Sequence, residues 1–203
     1  MRNIVAFMVM MLCSVAVMAQ DAATAKLERG IKAAYAEIET LTCSYTLARK
    51  VSMLTDVAQE NGALSYTKSR RTLVLASVTT PGDSTIMTPL SITSVGGGKR
   101  QTMDAMKNTA LRQMLDVITA CFSGDFGAVR SAGNVSVRDT GPTTVVGFTP
   151  TDRRTLRHIS SIELTFGNDD YGLRQMVVAQ KGGDFMTYTF GKKKTQTHAK
   201  SRK

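Results

Sequence analysis

Apolar and polar residues alternate with a period of two through most of this chain, and turn-forming residues interrupt the pattern every few positions. That combination commits the chain to antiparallel strands. From Thr42, Cys43, Tyr45 and Leu47 alternate with Ser44, Thr46 and Ala48, which places one set on each face of a strand. Strand-like stretches follow around 51–54, 63–67, 72–78, 84–88 and 90–95, then around 134–138, 143–150, 158–166, 173–180 and 185–190. Gly62, Pro81-Gly82-Asp83, Gly96-Gly97-Gly98, Asn168-Asp169-Asp170 with Gly172, and Lys181-Gly182-Gly183-Asp184 separate them as turns. Connections this short join strands that run in opposite directions.

Two segments depart from the alternation. Between 22 and 41, Leu27, Ile31, Ala34, Tyr35, Ile38 and Leu41 recur at three- and four-residue steps, the stripe of an amphipathic helix. From about 102 to 122, Met103, Met106, Ala110, Met114, Val117, Ile118 and Cys121 make a second stripe, widened by Leu111 and Leu115. The expected fold class is therefore α+β: about ten or eleven strands in an antiparallel sheet or partial barrel, with a leading and an inserted helix on one side.

Residues 1–19 belong to neither pattern. Met1-Arg2-Asn3 is a short basic start, 4–18 is apolar, and Ala19 precedes the polar Gln20-Asp21, the layout of a secretory signal peptide. Val17 and Ala19 supply the small residues needed for cleavage after Ala19. The bulky Leu12 before Cys13 argues against a lipoprotein cleavage site. The expected destination is extracytoplasmic, with 184 residues remaining, enough for one domain over 20–191 to bury a core without disulfides. No later apolar stretch reaches the roughly 18 residues that a membrane helix needs.

The net charge of +10 resembles a nucleic-acid signal until it is located. Lys192, Lys193, Lys194, Lys200, Arg202 and Lys203 concentrate six positive charges in 192–203, and Arg2 lies in the leader; the body keeps 19 basic against 16 acidic residues. Nucleic acid is not an expected partner. The tail is expected to be a solvated, disordered end, or else a foot on anionic lipid or an acidic partner. Cys43 and Cys121 remain after the leader is removed. They are candidates for a disulfide in an oxidising compartment, or else two buried thiols acting as small hydrophobes.

Catalytic signals are sparse. His158 is the one histidine of the body, with no cysteine near it in sequence, and no converging His, Cys and carboxylate set has the spacing of a metal site. The chain carries no Gly-x-Ser-x-Gly elbow, phosphate loop or dinucleotide fingerprint. Asp169-Asp170 is read as turn chemistry rather than a working carboxylate pair. These residues call for no catalytic group, metal or cofactor. Apolar surplus stands out instead: the second helix is rich in methionine, whose unbranched side chain adapts to irregular partners. It reads either as an ordinary core helix or as a lid over a lipid cavity.

In order and spacing, several fragments resemble the outer-membrane lipoprotein carrier family, the LolA-like proteins, in its divergent Bacteroidetes-type form. They are Ile38-Glu39-Thr40-Leu41-Thr42-Cys43-Ser44-Tyr45; Gly62-Ala63-Leu64-Ser65-Tyr66-Thr67-Lys68; the stretch from Met114 to Cys121-Phe122-Ser123-Gly124-Asp125-Phe126; Phe148-Thr149-Pro150 before a basic run; and Ile162-Glu163-Leu164-Thr165-Phe166, leading through Met176-Val177-Val178 to Gly183-Asp184-Phe185-Met186-Thr187. The resemblance spans about residues 22–190. It implies an unclosed antiparallel barrel covered by helices around an apolar cavity for acyl chains, with cavity residues drawn from Leu64, Tyr66, Leu73, Leu75, Met106, Leu111, Met114, Leu115 and Ile118.

The same resemblance implies a monomeric periplasmic carrier that takes acylated lipoproteins or another lipid from an inner-membrane release transporter to an outer-membrane acceptor. The alternative is a sensing module of the same fold. Lys68 is followed by Ser69 where the family has proline, and Leu73-Val74 occupies the place of an expected Arg-Trp pair. Arg70 and Arg71 are the candidates for the arginine that latches the lid.

Overall fold

The computed structural model describes residues 22–51 and 57–197. The leader expected over 1–19, positions 52–54 of one expected strand, and the end of the basic tail lie outside the described residues. The helix α1 covers 22–34. Twelve strands follow: β1 (Ile38–Lys50), β2 (Val57–Thr67), β3 (Thr72–Ser77), β4 (Ser84–Met87), β5 (Ser91–Gly96), β6 (Lys99–Asp104), β7 (Gly133–Asp139), β8 (Thr143–Pro150), β9 (Ile159–Gly167), β10 (Leu173–Gln180), β11 (Phe185–Phe190) and β12 (Lys194–Thr197). Helices α2 (Thr109–Ser123) and α3 (Gly127–Ala132) are inserted between β6 and β7.

The strands form one antiparallel sheet in the order β6-β5-β4-β3-β2-β1-β11-β10-β9-β8-β7, with β12 also on β1. It is two meanders joined along one seam, and β6 and β7 are its unclosed edges. This is the expected open sheet with helices. Period-two burial follows from the register. Leu41, Tyr45 and Leu47 of β1, Leu64 and Tyr66 of β2, and Leu73 and Leu75 of β3 face the interior together. On the other meander the same is true of Val146, Phe148, Ile162, Leu164, Phe166, Met176 and Val178.

Element boundaries moved in three places, each for a local reason. The first helix ends at 34 rather than 41, and Ile38 and Leu41 belong to β1. Ile38, Thr40 and Thr42 are β-branched and favour the extended chain. The Lys68 ammonium donates to the carbonyls of Tyr35 at 3.0 Å and Ala36 at 2.6 Å, closing the helix end. The second helix begins at Thr109 rather than near 102, because the Asn108 side chain accepts from the Leu111 N–H at 3.1 Å as its N-cap. The residues before it form β6, turned back from β5 by Gly97 and Gly98 at φ 56° and 72°, the left-handed pair of a type I′ hairpin.

The third change is in the tail. Its first part is not a disordered end: β12 pairs with Ile38–Thr42 of β1. Lys193 donates to the Asp170 carbonyl at 2.7 Å and lies 5.0 Å from the Tyr35 ring centroid. A vacant strand edge, a carboxylate loop and an aromatic face order residues that composition alone assigns to solvent.

The helices lie against the sheet through specific contacts. Leu27, Ile31 and Tyr35 of α1 are buried, and Glu28 pairs with Arg130 of α3 at 2.6 Å. Helix α2 stops at Gly124, whose φ of 64° is left-handed and whose added Cβ would stand 2.6 Å from the Glu28 carbonyl of α1. Glycine serves both needs there. Phe166 is fully buried under the sheet and Val78 is 66% exposed. Phe166→Ala is expected to cost about 3–5 kcal/mol and Val78→Ala less than about 0.5 kcal/mol, measured by denaturant unfolding of the two variants.

Candidate functional site

Between the concave face of the sheet and α2 lies a cavity of about 390 Å³. The register builds its walls in rows. Leu73, Met87, Ile92 and Met103 stand side by side across β3 to β6. The neighbouring row runs Leu64, Leu75, Thr85 and Ser94, passing from apolar to hydroxyl side chains. Met176 and Tyr188 pair across β10 and β11, as do Val178 and Met186, with Leu173 and Phe190 beside them in the wall. Helix α2 closes the cavity with Leu111, Met114, Ile118, Cys121 and Phe122. Helical spacing puts those five on one flank, while Val117 and Ala120 are buried on another. The helix is thus apolar beyond a single stripe.

Six of the nine residues named for the cavity line it: Leu64, Leu73, Leu75, Leu111, Met114 and Ile118. Leu115 is buried but packs in the core outside the lining. Tyr66 stacks on Phe122, ring centroids 4.3 Å apart, and faces a neighbouring cleft. Met106 is a correction. It is 65% exposed, because residues 105–107 form a 3-10 turn ahead of α2, with Asp104 capping the Met106 N–H. Methionine is not confined to the lid either: Met87, Met103, Met176 and Met186 are on strands, and Met114 alone of the five lining methionines is on α2. The nine residues leave out the lining side chains on β4, β5, β6, β10 and β11, and Cys121 and Phe122 on α2. Strand alternation is readable, but which strands reach the cavity is not.

Polar clefts flank the cavity on two sides. One, of about 610 Å³, lies between α1, α2 and the β2–β3 turn, and Lys32, Lys68, Arg71, Asp116 and Asp125 are among its walls. It meets the apolar cavity at Phe122. Burial raises the Asp116 carboxyl above the usual range, against the opposing pull of Arg112. The other, of about 240 Å³, is bordered by Tyr45, Arg49, Glu60, Ser77 and Asp83, and shares Leu75, Thr85, Ser94 and Tyr188 with the apolar cavity. Arg70 and Arg71 occupy the β2–β3 turn, and among the described residues neither guanidinium bonds to a helix. Lys68, beside them, clasps the end of α1.

The remaining sequence candidates are structural in placement. Asp169 and Asp170 form the β9–β10 turn and hold Arg174 at 2.9 and 2.8 Å; the Arg174 hydrogen bond keeps the Asp169 carboxyl below its ordinary value. Among the described residues no group of three His, Cys, Asp or Glu side chains could hold a metal ion. No helix among them is long and apolar enough to cross a membrane.

The disulfide expected as one alternative for Cys43 and Cys121 is not formed, and both are free thiols. The Cys121 thiol donates instead to the Val117 carbonyl one turn back at 3.3 Å, and Cys43 sits opposite Leu64 on the sheet.

No protein-family model matches the chain, and no curated protein matches it in sequence. Solved structures do match. A DUF1329 family protein from Desulfovibrio piger ATCC 29098 aligns with a TM-score of 0.50 and 7% identity over 88% of this chain and 94% of that one. A domain described as outer membrane lipoprotein-sorting, from Vibrio parahaemolyticus, gives 0.49 and 8% over 87% and 93%. A LolA superfamily protein from Nitrosomonas europaea gives 0.41 and 8% over 84% and 94%. The chain shares its open antiparallel barrel with the DUF1329 family protein. At these identities the likeness is one of architecture.

In the open barrel of this chain, burial pushes the Cys43 thiol up to about 11 and the Cys121 thiol up to about 12. An ordinary cysteine ionises near about 8.5, so neither is a competent thiolate at neutral pH. In protein lacking residues 1–19, a maleimide reagent near neutral pH is expected to leave both thiols unmodified in the folded state and to label both in denaturant. Failure to label in denaturant without reductant would show a disulfide after all.

Proposed function

We propose that this protein is an extracytoplasmic carrier that shelters lipid acyl chains, those of lipoproteins in the first instance, between two membranes. The observation that carries this reading is the apolar cavity of about 390 Å³, closed by a helix and lined by five methionines. At roughly 30 Å³ per water-sized group, it has room for about a dozen methylenes, on the order of one acyl chain. Each buried methylene contributes about 0.8 kcal/mol, so one chain gains roughly 10 kcal/mol before the costs of association are subtracted. That is enough to hold a chain in water and small enough for a membrane-bound acceptor to remove it.

Such a carrier works by differential affinity and requires no acid, base or nucleophile. Cargo with several chains needs more room than the cavity offers. The methionines are the side chains best able to yield, since they change rotamer at little cost. The leader-like residues 1–19 support an extracytoplasmic, periplasmic site of action, and the carrier reading takes its donor to be in the inner membrane and its acceptor in the outer.

Native mass spectrometry of the purified protein is expected to show co-isolated acyl lipid. Ile118→Glu puts a carboxylate into the cavity wall and is expected to weaken binding of a fluorescent fatty acid by at least tenfold while the fold is retained. Unchanged affinity in that variant would remove the cavity from the mechanism. Wild-type protein that binds lipid yet releases no acylated lipoprotein from inner-membrane vesicles would be a sensing module instead.

A further inference from the structure

The apolar cavity and its smaller polar neighbour share a wall. Leu75, Thr85, Ser94 and Tyr188 line both spaces, and the register shows why. Across β3, β4 and β5 the row Leu75, Thr85, Ser94 replaces apolar side chains by hydroxyls. One row further along the strands, Gly62 faces Ser77 and Ser77 N–H is bonded to the Asp83 carbonyl at 2.9 Å. This cleft therefore adjoins the apolar cavity along a whole row of side chains that turns from apolar to polar. The larger cleft meets the cavity only at Phe122, behind the Tyr66–Phe122 stack.

We propose that this smaller cleft is a headgroup site, in which Glu60 and Asp83 receive the ammonium of an amine-bearing lipid whose chain fills the adjoining apolar cavity. The inference rests on the carrier reading and names its ligand class. Three charged side chains line the cleft, Arg49, Glu60 and Asp83, so carboxylates outnumber the cation. Arg49 does not saturate Glu60. Their closest approach is 3.6 Å, with the Arg49 side chain 54% exposed and that of Glu60 31%. The Tyr45 hydroxyl donates to Glu60 Oε1 at 3.3 Å, and Asp83 Oδ1 accepts from the Gly97 N–H at 3.3 Å.

Ionised carboxylates offer about four acceptor positions each, so both retain capacity for further donors. Arg49, on the solvent side, suits the phosphate of a zwitterionic headgroup. A headgroup with a net negative charge meets two carboxylates that one exposed guanidinium does not offset.

The test compares lysophosphatidylethanolamine with lysophosphatidylglycerol of the same acyl chain, bound to the wild-type protein and followed by calorimetry. The two share a phosphate and differ in the ammonium. The ethanolamine lipid is expected to bind about tenfold more tightly. In the E60Q/D83N double variant the preference is expected to fall to within about twofold, with affinity for the glycerol lipid kept, which also shows the cavity to be intact. Asp116→Asn, in the larger cleft, is expected to leave the preference unchanged.

Equal binding of both lipids by wild-type protein would overturn the headgroup assignment and leave the carrier reading standing; binding of neither would overturn both. A preference that survives in the double variant, or disappears with Asp116→Asn, would place the headgroup elsewhere. Loss of both lipids in the double variant would make Glu60 and Asp83 structural rather than selective.

Discussion

The pairing of β1 on both of its edges holds this molecule together. One edge carries β2 from Thr40 to Lys50, and the other carries β12 up to Thr42 and β11 from Tyr45 onward. Without that second edge the chain would be two separate meanders, each exposing a half-formed apolar face. The contact joins residues near opposite ends of the described chain, so its loop-closure cost is the largest in the fold and must be met by dense burial along the seam. Leu41, Tyr45, Leu47 and Phe190 supply it.

An open sheet curved in this way cannot fill its own concavity, and the helices complete the interior. Helix α2 is held from several directions: by the Asn108 cap at its start, by the close approach of Gly124 to α1 at its end, and by edge-to-face and stacked contacts of Phe122 with Tyr35 and Tyr66. Tyr35 in turn lies under Lys193 and gives its carbonyl to Lys68. The end of α1, the β2–β3 turn and the segment before β12 thus converge on the same aromatic group. A residue that composition assigned to a solvated tail, Lys193, is part of what positions α2.

Local pattern carried a large part of this into the sequence. Strands β8, β10 and β11 begin and end where alternation and turn residues put them, because each is bounded by strong turn chemistry and buried on one face. The inward set Leu64, Leu73 and Leu75 was equally readable, since a period of two leaves one choice of face per strand. Two readings failed, one for a long-range reason and one for a local reason. The seam that orders β12 depends on a vacant edge of β1 far away in sequence, and the exposure of Met106 depends on a turn stabilised by Asp104 where a helical period could also be traced. Neither the cleft at Glu60 and Asp83 nor the contribution of β10 and β11 to the cavity has a linear signature, because each gathers side chains from strands apart in sequence.

The distribution of methionine follows from the same geometry. A cavity bounded by a sheet of fixed register cannot change volume by sliding strands, since a one-residue slip would turn every inward side chain outward. Adaptability must then come from side chains or from the lid. Met87, Met103, Met176 and Met186 on the sheet, with Met114 on α2, put rotamer freedom on several walls while the backbone frame stays constant. The Tyr66–Phe122 stack lies where the apolar space adjoins the larger polar cleft. Displacing that pair would extend the cavity without disturbing a hydrogen-bonded strand. On the carrier reading proposed above, the frame determines where an acyl chain lies, and the deformable side chains determine how much of it is admitted.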